Sequence, residues 1–183
     1  MLTAEAKLEN EQKSVPSCID IGLEASRKGN FQMARQMFRA AMDQLEGQSG
    51  KESQLIELLI HTADTYLNEG LYDSAKQWYE KAMQRHELWQ GKNTFQAACL
   101  MAKLAEVNVL QAQLGEFQKC FEDTERFYLL AQDTDPNILL GALIDLSWSL
   151  CVKGHMDEVR SVNNLIAQIK QLEEENELAA QVA

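Results

Sequence analysis

A chain of 183 residues with 28 acidic and 17 basic side chains carries a net charge of −11, which makes nucleic acid and anionic membrane surfaces poor partners. It is long enough to bury a sizeable core as one domain. Its two prolines leave helix favoured nearly everywhere. No apolar run reaches the roughly 20 residues of a membrane span, and the N-terminal MLTAEAKLENEQK lacks the basic-then-apolar layout of a secretion signal. A cytoplasmic location is therefore expected.

Residues 1–13 read as a weak helix or tail. Ser14 and Pro16 mark the first helix start, since proline in the first turn loses no hydrogen bond that the helix needs. That helix is expected to end at Gly29-Asn30, where glycine tolerates the left-handed conformation. A second helix follows over about 31–45, and GQSGK at 47–51 links it to a second pair at about 52–69 and 72–88. Asn93 is placed as the N-cap of a third pair at about 93–114 and 117–132. Asp133-Thr134-Asp135-Pro136 opens a fourth at about 136–153 and 156–176, and 177–183 reads as a tail that can prolong the last helix. Each pair is centred on a glycine, at Gly29, Gly70, Gly115 and Gly154. A large apolar residue follows two positions on, at Phe31, Tyr72, Phe117 and Met156. Recurrence at about 40 residues predicts stacked helix pairs, an all-α right-handed solenoid over 14–176 with pairs at about 16–46, 52–88, 93–132 and 136–176.

Chemistry-bearing residues do not gather. Cys18, Cys99, Cys120 and Cys151 are widely spaced within helical patterns, unlike the close pairs of a zinc site, and read as reduced, mostly buried thiols. His61, His86 and His155 fall in different pairs, and no nucleophile elbow or glycine-rich phosphate loop accompanies them. Neither a catalytic site, a metal nor a cofactor is expected.

The second pair, with Leu59, Ala63 and Tyr66 followed by Gly70, Tyr72, Ala75, Tyr79 and Ala82, resembles the tetratricopeptide repeats. The first pair offers Gly22, Gly29, Phe31, Ala34, Phe38 and Ala41. The third and fourth look degenerate: Asn108 stands for the small residue and Thr124 for the aromatic in the third, and Asn163 for the aromatic in the fourth. The lengthened spacing is similar to that of the kinesin light chain and of the adaptors with Leu-Gly-Asn repeats, a resemblance that implies binding of extended peptides. The resemblance also implies that the first helices of the pairs line a concave groove. Ten and six positions before each glycine come Ile19 and Leu23, Ile60 and Asp64, Ala105 and Val109, and Ile144 and Trp148. A turn away lie Glu57, Leu67, Ala102, Ala112, Gly141 and Cys151.

The expected site is thus Ile19, Leu23, Glu57, Ile60, Asp64, Leu67, Val109, Ile144, Asp145 and Trp148, an apolar groove edged by Glu57, Asp64, Glu106 and Asp145. It lacks the basic carboxylate clamp of chaperone-binding relatives. The expected partner is a protein segment with apolar and basic residues, bound by an adaptor or assembly subunit. A cytosolic chaperone shielding a client's apolar segments, and a subunit that self-associates, for instance as a homodimer, are the alternatives. Filling of the groove by the chain's own C-terminal helix is a third reading of the same positions.

Overall fold

The computed structural model describes residues 14–92, 94–131 and 137–182, with the backbone alone for the last seven. Among them are eight helices and no strand: α1 (Val15–Arg27), α2 (Phe31–Leu45), α3 (Glu52–Asn68), α4 (Tyr72–Gln90), α5 (Phe95–Leu110), α6 (Leu114–Leu130), α7 (Asn137–Lys153) and α8 (Met156–Val182). The readings for 1–13, for Asn93 and for the 133–136 helix start lie outside the described residues. Thr94 caps α5, its hydroxyl accepting from the Ala97 amide at 3.0 Å. The last helix continues to Val182, beyond the boundary expected at 176. The chain forms two compact units, residues 1–89 and 90–183.

All four within-pair turns are the same hydrogen-bonded object. The residue after the turn donates to a carbonyl five positions back, from Asn30 to Ala25 at 2.8 Å, Leu71 to Tyr66 at 2.9 Å, Gln113 to Asn108 at 2.8 Å and His155 to Leu150 at 3.0 Å. The preceding residue donates three back, from Gly29, Gly70, Ala112 and Gly154. This is the Schellman closure of a helix C-terminus, and it needs a left-handed residue at its corner. That residue is Gly29 at φ 75°, Gly70 at φ 80° and Gly154 at φ 83°, but in the third pair it is Ala112 at φ 60°. Gly115 instead lies in the first turn of α6. The repeat centre expected at Gly115 is therefore corrected to Ala112, and the steps between centres become 41, 42 and 42 residues.

The new register restores the third pair. Seven positions before each corner stand Gly22, Ala63, Ala105 and Ser147, and nine after it Phe38, Tyr79, Phe121 and Asn163. Ala105 and Phe121 are buried, so the third pair holds the small and aromatic residues at the expected offsets, and Asn108 and Thr124 are not substitutes for them. Gly22 shows why the first position must be small: a Cβ built there would lie 2.5 Å from Phe38 Cε1. In the fourth pair the same two positions are polar, and the Ser147 hydroxyl lies 2.8 Å from Asn163 Oδ1.

In unit one, Cys18, Ala25, Ala34, Phe38, Ala41, Leu45, Leu55 and Leu58 form a core between α1, α2 and α3. Phe38 stacks on His61 with centroids 5.5 Å apart. Further out, Arg35 pairs with Glu69 at 2.6 Å and lies 4.3 Å above the Tyr66 ring. Tyr66 stacks on Trp78, which Lys81 covers at 4.3 Å. In unit two, α5 is buried along most of its length; Asn108 donates to Cys120 of α6 at 3.4 Å, while Lys103 and Glu106 meet α7. Lys103 pairs with Asp145 at 3.2 Å, Ser149 donates to Glu106 at 2.9 Å, and Lys153 Nζ donates to the Leu110 carbonyl at 3.3 Å. These three contacts along facing helices fix the register of α7 on α5.

Candidate protein-docking face

The positions expected to line a groove divide sharply by burial. In unit one, Ile19 and Leu23 of α1 are half-buried against the core, and Ile60 and Leu67 of α3 are also half-buried. Glu57 is exposed, with His61 Nε2 3.6 Å from its carboxylate. Asp64 accepts the Tyr79 hydroxyl. These side chains belong largely to the packing of their own unit.

Unit two gives a different result for each helix. Val109 is fully buried, so its assignment to the groove is corrected. The error follows from Gly115: counted from Ala112, the positions matching Ile60 and Asp64 are Ala102 and Glu106. Both are buried, with Glu106 7% exposed and bonded to Ser149, so Glu106 is not a rim carboxylate. On α7 the same offsets are open. Ile144 is 52% exposed and Trp148 is 70% exposed. Val152, one turn beyond Trp148, is 66% exposed, and Ile138 near the helix start is 49% exposed. Positions 144, 148 and 152 form an i, i+4, i+8 row, and Gly141 and Cys151, both exposed, fall on the same side. Cys151 is thus not one of the buried thiols. Val152 and Ile138 were missing from the expected site, although a count of four from Trp148 reaches Val152.

This face is nearly uncharged. Its carboxylate, Asp145, is held by Lys103 and is the nearest charge along the row. A stripe of apolar side chains left in water is the kind of surface that marks an interaction site, and an exposed tryptophan at its centre is a frequent anchor. Among the described residues no group of three or more His, Cys, Asp or Glu side chains could hold a metal ion, and no helix is long and apolar enough to cross a membrane.

Helix pairs closed by one turn motif and repeating at about 42 residues, three of them with a small-residue/aromatic couple, define a helical-repeat fold. A family model described as tetratricopeptide repeat matches residues 56–85. That segment carries the second pair, whose pattern is complete. The fold is similar to a crystal structure of BtubC (BKLC) from P. vanneervenii, with a TM-score of 0.67 and 13% sequence identity, over 93% of this chain and 71% of that one. No curated protein matches the sequence. Residues 56–85 thus carry a tetratricopeptide repeat within a fold of stacked helix pairs, and such repeats generally mediate protein–protein interaction or assembly.

Proposed function

We propose that the chain is a protein-interaction module that captures a partner segment on the exposed face of α7, acting as an adaptor or assembly subunit. The observation that supports this most is the row Ile144, Trp148 and Val152, each more than half exposed on one side of a helix whose other side is packed. A partner helix or extended segment that covers this row removes apolar surface from water at about 25 cal/mol per Å², and the order needed to receive it already exists in the folded helix.

Three carboxylates of the expected groove are engaged within the chain, Asp64 with Tyr79, Glu106 with Ser149 and Asp145 with Lys103, while the Glu57 side chain is 63% exposed with His61 Nε2 3.6 Å away. Selection of the partner therefore rests on apolar complementarity first. The Asp145 side chain, 56% exposed beside Lys103, offers one place where a basic residue of the partner can dock and set orientation.

The test is a photo-crosslinking amino acid placed at position 148 of the full chain, with the captured segment identified and then titrated against the unlabelled protein. Trp148→Ala should weaken that segment by about thirtyfold or more, the scale of a 2 kcal/mol anchor, while the helical circular dichroism stays unchanged. Equal affinity of the two proteins for the segment would remove α7 as the docking face.

A further inference from the structure

Counted from the corners at Ala112 and Gly154, the row Ile144, Trp148 and Val152 on α7 holds the places of Ala102, Glu106 and Leu110 on α5. On α5 those places are covered by α7 itself. Ala102 and Glu106 are buried, Ser149 donates to Glu106, and Lys153 Nζ donates to the Leu110 carbonyl. The interface on which this chain stacks one helix on the next therefore continues onto the open face of α7, where no helix among the described residues covers it. Gly141 is an independent sign on the same side, two turns before Trp148. It is exposed inside a helix, where glycine is less favourable than alanine, and a Cβ built there meets nothing within 4 Å. No packing within the chain requires a glycine at this position, whereas a second helix crossing closely over it would.

We infer that the occupant of the α7 face is a second copy of this chain, its α7 crossing antiparallel about a twofold axis near Ile144, so that each Trp148 indole lies over Gly141 of the partner subunit. This rests on α7 being the docking face and names what docks there. An isologous contact requires one surface to carry both halves of the fit, and α7 carries a projecting indole and a gap in its side-chain layer seven residues apart. Charge favours the same choice. Copies that each carry −11 repel, but along this row the carboxylate of Asp145 is already held by Lys103 at 3.2 Å. Head-to-tail stacking is disfavoured by α1. The places that α7 uses against α5, at Asp145, Ser149 and Lys153, are Asp20, Glu24 and Lys28 on α1. Glu24 is 2.9 Å from both Arg27 and Lys28, and seating that cluster on Trp148 would strip it of water. One helix face is less than the roughly 800 Å² a side of a standard interface, so the dimer is weak and depends on concentration.

Sedimentation equilibrium of the full chain from about 5 to 500 µM should show monomer passing to dimer with a Kd of tens of micromolar, and the Trp148 emission should move to the blue over the same range. Trp148→Arg and Gly141→Gln should each weaken the dimer about tenfold or more. Gly141→Gln should at the same time raise the Tm of the monomer, because glutamine is the better helix former. Raising sodium chloride from about 20 to 500 mM should tighten the dimer, since it screens the repulsion between copies. A chain still monomeric at the highest concentration, a dimer that either variant leaves intact, or one that salt dissociates would overturn the inference. The crosslinker at position 148 separates this failure from that of the docking face. A monomer that captures a foreign segment there would overturn the second copy alone, and a monomer that captures nothing would overturn docking on α7 as well.

Discussion

Ala112 holds the left-handed corner of the third helix pair without being a glycine. A non-glycine residue at φ 60° costs about 1–2 kcal/mol relative to glycine, and the other three turns show what the position requires. Ala112→Gly should raise stability by about 1 kcal/mol in a denaturant titration, whereas the same change at Ala105, in the packed seam, should lower it. Glu125 offers a second test. Burial, with the nearby Glu122 adding to it, pushes its carboxyl above the ordinary carboxylate range. A folded-state value above the unfolded one means that the ionised form costs stability at neutral pH, a cost that vanishes once both states are protonated. Glu125→Gln should therefore stabilise the protein at pH 7 and have no effect near pH 3. Glu52 and Glu24 act in the opposite sense, since hydrogen bonds from Arg85 and from Lys28 hold their carboxyls below the ordinary range. Their contribution is present above that range and is lost as the pH falls through it, so the wild-type curve should still decline in acid.

At the level of helices, the pairing was legible because apolar periodicity, small residues and glycine corners agree. They agree at Gly29, Gly70 and Gly154, and there the helix ends fall within a residue or two of expectation. They disagree around Gly115, where a glycine lay near enough to the repeat length to be taken for the corner, and an alanine held the corner itself. The three-residue slip carried through to Val109, and it made a pair with its aromatic in place look degenerate. Hydrogen-bond closure at Gln113 settles the register, and that depends on backbone conformation rather than residue type. The corrected offsets predict unequal costs at equivalent positions. Phe121→Ala, in the core, should cost about 3–5 kcal/mol, while Asn163→Ala, on the surface of α8, should cost about 1 kcal/mol or less. Similar losses in parallel chemical denaturations would refute the equivalence drawn between the third and fourth pairs.

For the whole molecule, composition alone indicated helix and acidity, but exposure could not be read from it. Ile60 and Ile144 hold the same offset from their corners, yet one is half-buried and the other half-exposed. The difference arises from what packs beside each helix, which no local pattern encodes. The charge balance does have a consequence that needs no contacts. With 28 acids and 17 bases, self-repulsion opposes compaction, and most ion pairs are exposed ones worth little individually. Raising sodium chloride from about 20 to 500 mM shortens the screening length severalfold and should raise the Tm. A lowered Tm in the same scans would show that the ion pairs outweigh the repulsion.

The solvent-facing indole on α7 also makes the protein its own reporter. Of the three tryptophans, Trp78 is stacked on Tyr66 and contacted by Lys81, and Trp148 is the most open to water. Red-edge emission and iodide quenching should therefore come chiefly from Trp148. A segment that settles on α7 would shift that emission to the blue and shield it, so occupancy can be followed by fluorescence with no label attached.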